Sequence, residues 1–138
     1  MRTDVFGMFC VIKAAVPHLP PGSSIICTAS LEVCHQPPSL LDDATTKGAI
    51  NTFSTAMAQQ LGPRGIRVDA VVPGPTWTAL QVSQGHAPDQ LPQYGKDSLF
   101  GRAGQPAELA PAYVFLASAE SSFVMGETLN VNGGQPTP

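Results

Sequence analysis

The sequence predicts an α/β fold built on a short parallel sheet, and three observations predict it. Helical and strand-like segments alternate along the chain in the order helix, strand, helix, strand, helix, strand. The first strand-like segment, Ser24–Thr28, is short and β-branched, as expected of a strand buried on both faces, and the second, Ile66–Val72, is rich in valine. Proline- and glycine-rich breaks at 20–22, 62–65 and 73–75, and a glycine pair at 133–134, punctuate them. Alternation of this kind places helices on the faces of a parallel sheet and joins the strands by right-handed crossovers.

The elements follow in order. Val5, Met8, Phe9, Ile12, Val16 and Leu19 recur at the spacing of an amphipathic helix, with Thr3 or Asp4 expected to cap its start. Pro17 falls in its last turn, and Pro20-Pro21-Gly22 ends it. Phe6 and Val11 widen the apolar surface, so two faces of this helix should meet a partner. Ser24–Thr28 reads as a strand buried on both faces. The chain from Leu31 to Ser39 is irregular, with Pro37-Pro38 excluding a helix. A second helix is expected from about Leu40 to Leu61, with Ile50, Phe53, Met57 and Leu61 on one side, stopped by Gly62-Pro63-Arg64-Gly65. Ile66 to Val72 is the second strand, ending at Pro73-Gly74-Pro75. Thr76 to Gly101 is polar and broken by Pro88 and Pro92, and reads as a loop with one short helix, of a length often used as a lid over a ligand. Pro106, with Glu108 just inside, opens a third helix through Leu109, Tyr113, Leu116 and Ala117. Thr128 to Val131 is the last strand.

Composition narrows the classes of function. A chain of 138 residues is one domain's worth. Only 12% of residues are charged against 43% hydrophobic, so much of the surface is neutral or apolar, which suits a subunit covered by others. A net charge of −3 leaves no basic footprint for nucleic acid. Asp4 and Lys13 interrupt the apolar run before Pro17, which is far too short to span a bilayer, so no membrane role is expected. Cys10, Cys27 and Cys34 have no metal-ligand spacing and read as reduced, mostly buried thiols of a cytoplasmic protein. His18, His35 and His86 have no partner pattern for metal or nucleophilic catalysis and read as surface or loop residues.

The chemistry-bearing stretch runs from Ser30 to Lys47, SLEVCHQPPSLLDDATTK. Asp43 and Lys47, four residues apart, share one helix face, and Ser30 stands after the preceding strand. Three further pieces follow in order: GIRVDAVVPGPTWT at 65–78, GRAGQPAEL at 101–109 and GETLNVNGG at 126–134. Together, in register over nearly the whole chain, these pieces resemble the C-terminal half of a short-chain dehydrogenase/reductase. The resemblance implies the last three strands, with flanking helices, of a partial Rossmann-like doubly wound parallel sheet.

It also implies an activity and a site. Members of that family are NAD- or NADP-dependent oxidoreductases acting on alcohols and carbonyls. They use an Asn, a Ser, a Tyr and a Lys, the last two as Tyr-x-x-x-Lys. Carried across, the Ser is Ser30, which orients the substrate oxygen. The Lys is Lys47, which binds the nicotinamide ribose and lowers the tyrosine pKa. The Pro-Gly-x-x-x-Thr motif matches Pro73, Gly74 and Thr78, implying contacts at the nicotinamide end, with Thr76 placed for a backbone contact. Two positions depart from the pattern: Asp43 occupies the tyrosine position and Asp4 the asparagine position. Asp69 stands where the family's strand has Asn, and Cys27 where it often has Asn.

Asp43 bears directly on the chemistry. A carboxylate, ordinarily ionised near neutrality, is a poor proton donor, and a cation beside it favours the ionised form. It is shorter than a phenol, and its charge opposes an alkoxide developing on the substrate. Carbonyl reduction through this site is therefore expected to be severely weakened. No strand followed by a glycine-rich turn and helix occurs before Ser30, so the adenosine half of a dinucleotide site and the first four strands are expected to be missing. An exposed edge at Ser24–Thr28 then invites pairing. In the family the first two helices commonly form a four-helix dimer interface, so self-association, or pairing with a complementary N-terminal half, is expected. Three functions fit: an oxidoreductase working as a split or shortened chain, a non-catalytic oligomerisation or regulatory partner of full-length relatives, or a decayed or mis-started gene product. Asp43, Asp4 and Asp69 are each one nucleotide change from the family's residue, which bears on the third.

Overall fold

In the computed structural model, residues 1–33, 40–85 and 89–135 are described. Three strands, β1 (Ser24–Thr28), β2 (Arg67–Pro73) and β3 (Thr128–Val131), form one sheet in the order β1-β2-β3. Both pairings are parallel, in register from Ser24↔Arg67 to Thr28↔Val71 and from Ala70↔Thr128 to Pro73↔Val131. Three helices accompany them: α1 (Met8–Ala15), α2 (Leu41–Leu61) and α3 (Pro106–Ala117).

Strand side chains alternate between faces, and this alternation sorts the layers. Ile12 of α1 and Ile50 of α2 pack with Cys27, Ala29 and Val72 on one face, and Ala58 and Leu61 of α2 continue that layer over Ile66 and Val68. On the other face, Ser24 Oγ donates to the Leu116 carbonyl of α3 (2.9 Å), and Thr28 Oγ1 shares a hydrogen bond with the Tyr113 hydroxyl (2.9 Å). The sheet is thus covered on both sides at β2, where Val68, Ala70, Val71 and Val72 are all buried, whereas β1, expected to be buried on both faces, is only partly so, with Cys27 buried and Thr28 exposed at the sheet's edge. Ile66, Val68, Val71, Val72 and Leu116 are fully buried, each worth about 1.5–3 kcal/mol relative to exposure. The buried side of α2 is largely small (Ala44, Ser54, Ala58), which lets the helix lie close to the sheet.

The element order stands as expected, with boundaries shifted by about a residue. The start of the chain differs: α1 is preceded by a wider π-helical turn, Arg2–Gly7, and neither Thr3 nor Asp4 caps it. Asp4 is engaged instead by Thr46 and Lys47 of α2, a tertiary pairing that outcompetes a local cap. Pro17 lies in a 3-10 turn, Val16–His18, that closes α1 before the Pro20-Pro21-Gly22 break. Two short helical turns, Gln81–Gly85 and Leu91–Gln93, interrupt the long loop where one was expected. Cys27 is buried and Cys10 is exposed, against the expectation of mostly buried thiols, because Cys10 lies on the outer side of α1. His18 is exposed. Cys34, His35, Pro37, Pro38, Ser39, His86 and Pro88 lie outside the described residues. Among the described residues no helix is long and apolar enough to cross a membrane, and no group of His, Cys, Asp and Glu is arranged to hold a metal ion.

At the C-terminal end of the sheet, one glycine sets how the chain closes. A Cβ on Gly74 would stand 2.5 Å from the Asn132 Cα and 2.7 Å from its carbonyl oxygen, so only glycine lets the chain leave β2 this close to the end of β3. The segment that follows is tied to the approach to α3, with Gly104 N–H donating to Pro75 C=O and Trp77 N–H to Gly104 C=O, both at 2.8 Å.

Candidate active site

A cleft of about 890 Å³ opens at the C-terminal ends of the strands, within the size range of small-molecule sites. Its walls come from four places: the chain after β1, the first turns of α2, the segment after β2, and the inner side of α3. This is where an open parallel sheet ordinarily binds its ligands.

Ser30 follows β1. Ala29 N–H donates to Val71 C=O (2.9 Å), which extends the ladder one residue past the strand. The chain then turns as Val33 N–H donates to Ser30 C=O (3.0 Å), leaving Ser30 half-buried on the cleft wall. Asp43 lies in the first turn of α2, where a negative side chain suits the helix dipole. Lys47 is one turn further along the same face. Ser30, Asp43, Lys47, Pro73, Gly74, Thr76 and Thr78 all line this cleft. Sequence positions up to 48 residues apart therefore meet in one place.

Asp4 does not line it. It borders a neighbouring groove of about 580 Å³ between α1, β1 and α2, where Lys47 also appears. Among the described residues Asp4 is joined to the site through Lys47, with Nζ–Oδ2 at 3.6 Å, while Thr46 Oγ1 donates to the same Oδ2 at 3.3 Å. The ammonium thus faces a carboxylate on one side and the cleft on the other.

Glu32, Tyr94 and Tyr113 line the cleft as well, although no motif pointed to them. The chain contains two tyrosines, and both stand in this cleft while the helix position four before Lys47 holds Asp43. A search for phenols once that position was found acidic would have reached them. Tyr94 is fixed on Thr76: the Thr76 N–H donates to its hydroxyl oxygen at 3.1 Å, and the hydroxyl donates to the Thr76 carbonyl at 3.4 Å. Burial pushes the Tyr94 pKa up, the Thr76 backbone bond lowers it, and the charge of Glu32 raises it further. Tyr94 is therefore a neutral phenol. The pKa of the buried Cys27 thiol is also pushed up by burial, despite a hydrogen bond with Ser54, and this disfavours the thiolate.

The start of α3, which brings Pro106 and Leu109 to the cleft, is held by an ion pair and a cap. Arg102 donates to both carboxylate oxygens of Glu108 at 2.7 Å, and Gln105 N–H donates to Glu108 Oε2 at 2.8 Å in a capping box. The Arg102 hydrogen bonds, followed by that backbone bond, lower the Glu108 pKa to about 2. Beneath the cleft, fully buried Asp69 accepts from Glu127 N–H (3.0 Å) and stands 3.8 Å from Arg67 Nη1. Arg67 in turn donates to Ser121 Oγ (2.6 Å) and the Ser118 carbonyl (3.1 Å), joining β2 to the turn after α3.

Comparison with known proteins places this geometry. The family model described as enoyl-(acyl carrier protein) reductase matches residues 1–135. The uncharacterised oxidoreductase YghA of Escherichia coli (strain K12) is 51% identical over 132 residues, which cover 96% of this chain and 45% of that protein. Among solved structures, a short-chain dehydrogenase/reductase, glucose/ribitol dehydrogenase, from Brucella melitensis aligns with a TM-score of 0.88 at 32% identity, covering 98% of this chain and 54% of that one. A gluconate 5-dehydrogenase from Burkholderia cenocepacia J2315, in complex with NADP and tartrate, aligns at 0.88 and 33% identity, covering 96% and 53%. The chain spans about half the length of the curated relatives it matches. With three parallel strands under helices on both faces and these matches over nearly its whole length, the chain belongs to the short-chain dehydrogenase/reductase family.

Proposed function

We propose that this chain supplies the substrate-facing and nicotinamide-facing half of an oxidoreductase acting on alcohols or carbonyls with NAD or NADP, and that Asp43 leaves its proton transfer weak. The observation that carries this reading is one cleft shared by Ser30, Lys47, Pro73, Gly74, Thr76 and Thr78.

The residues present fit the nicotinamide end of such a cofactor. The cleft has the volume for it, the Lys47 ammonium can donate to ribose hydroxyls, and Thr76 and Thr78 add polar groups on the same wall. The bound cofactor would supply or accept hydride. Ser30 donates to the substrate oxygen and orients it. Asp43 holds a negative charge where that oxygen needs a proton, so the alkoxide stage is opposed rather than relieved. Asp4 draws on the same ammonium that would stabilise the site.

The test is a fluorescence titration of NADH and NADPH into this chain mixed with the part of the E. coli relative that it does not span. Saturable binding, weakened by Lys47→Ala, supports the reading. An absence of binding to the mixture for both nucleotides contradicts it.

A second reading, a non-catalytic partner of full-length relatives, is favoured by the outer surface of α1. Phe9 and Val11 on it, and Phe6 in the turn before it, are exposed, and β1 stands at the edge of the described sheet. Co-expression with the E. coli relative followed by native mass spectrometry tests it: mixed oligomers support partnership, and separate species contradict it.

A further inference from the structure

Glu32 has an acceptor that the fold leaves unused. Its Oε2 atom is buried and has no hydrogen-bond partner among the described residues, whereas buried polar atoms ordinarily have one. The residue sits on the 3-10 turn Leu31–Val33, two positions after Ser30, and lines the same cleft as Ser30, Thr76 and Tyr94. Tyr94 is pinned to the Thr76 backbone. Glu32 stands near enough to this tethered phenol for its charge to raise the Tyr94 pKa.

Charge says what kind of group the acceptor meets. Among the described residues, the charged ones lining the cleft are Glu32, Asp43 and Lys47, and Lys47 already faces Asp4 at 3.6 Å. The balance is negative. A carboxylate substrate or a phosphorylated one enters against that field, while a neutral hydroxyl can donate into it.

The geometry points to Glu32 as a specificity-determining residue: its free carboxylate oxygen accepts a hydrogen bond from a hydroxyl of a neutral, hydroxyl-rich substrate, a sugar or polyol, and disfavours anionic ones. The inference rests on reading the cleft as the substrate site. The reacting oxygen goes to Ser30, and Glu32 takes a hydroxyl further along the same molecule. A buried acceptor of this kind separates substrates sharply, because a ligand without the matching donor leaves it unpaired.

The experiment titrates ribitol, as the neutral probe, and gluconate, as the anionic one, into the full chain by calorimetry with no nucleotide present. The parent is compared with Glu32→Gln and Glu32→Leu, each first shown by circular dichroism to keep the parent spectrum. The parent should prefer ribitol by about 10-fold or more, and Glu32→Leu should lose about 10-fold or more of ribitol affinity. Glu32→Gln keeps an acceptor but no charge, so it should narrow the ribitol-to-gluconate ratio even if the leucine variant does not fold. No ribitol binding to the parent, equal binding of the two probes, or a ratio unchanged in Glu32→Gln overturns the inference. With no nucleotide in the cell, such a failure leaves the NAD(P)H reading standing. Glu32-dependent ribitol binding alongside a failed NAD(P)H titration would sink the cofactor reading alone.

Discussion

Replacing Asp43 with tyrosine should restore the largest missing part of the chemistry. The position lies one helical turn before Lys47 and lines the cleft together with Ser30. A phenol there reaches further into the cleft than a carboxylate and carries a proton at neutral pH. Positioned acid–base catalysis contributes about 10²–10⁴-fold, or about 3–5 kcal/mol of barrier at 1.36 kcal/mol per tenfold. The Asp4–Lys47 pair sets a second, smaller correction. At 3.6 Å with side chains 36% and 21% exposed, it is worth about 0–1 kcal/mol, so adding Asp4→Asn should contribute no more than about fivefold. The assay is the spectrophotometric loss of reduced nicotinamide with a carbonyl substrate, using a chimera that joins the unspanned part of the E. coli relative to this chain. A gain of about 10²-fold or more in kcat/KM for Asp43→Tyr agrees with the account. A gain within about twofold, in a chimera that binds nucleotide and keeps the parent's fold, refutes the reasoning.

Further expectations concern the frame around the cleft. Arg67→Met leaves the fully buried Asp69 carboxylate without its cation and should cost about 3–5 kcal/mol in urea unfolding, with Arg67→Met/Asp69→Asn recovering part of the loss in a double-mutant cycle. Gly74→Ala forces a Cβ to within 2.5 Å of the Asn132 backbone and should cost about 1–3 kcal/mol, read as a lower thermal midpoint. Glu108 titrates at about 2 in the fold. Its contribution is therefore full above the ordinary carboxylate range and is lost as pH falls through that range towards 2. The thermal midpoint of the parent should fall over that window more than that of Glu108→Gln, and equal slopes would contradict the assignment.

What was legible in the sequence was mostly local. Pro106 and Glu108 marked the start of α3 because a missing N–H and a capping carboxylate matter only in a first turn. The valine-rich segment 66–72 marked β2 as a strand, while burial on both faces, expected of Ser24–Thr28, is met more fully by β2 because β1 stands at the sheet's edge. The Ser30, Lys47 and Pro73–Thr78 pieces are legible because they follow strand ends that a parallel sheet gathers at one edge. What stayed hidden depended on tertiary closure. Asp4 looks like a cap in sequence, yet its partners are Thr46 and Lys47, more than 40 positions away. Glu32 and Tyr94 sit in a turn and a loop with no periodicity to read, and they come near each other only when the segment after β2 folds over the strand ends. Cys10 looked buried from its residue type, but its position on α1 leaves it exposed.

The central claim is that the nicotinamide end of NAD or NADP rests against Ser30, Lys47 and the 73–78 segment. The most direct measurement is a ¹⁵N–¹H correlation spectrum of this chain, isotopically labelled and mixed with the unlabelled part of the E. coli relative, recorded as NADPH or NADH is added. The account predicts saturable shifts at the amides of Ser30, Lys47, Gly74, Thr76 and Thr78, with Arg64 and Gly65 at the opposite end of the sheet unmoved. Shifts centred on that opposite end, or a spectrum that neither nucleotide changes, would contradict it.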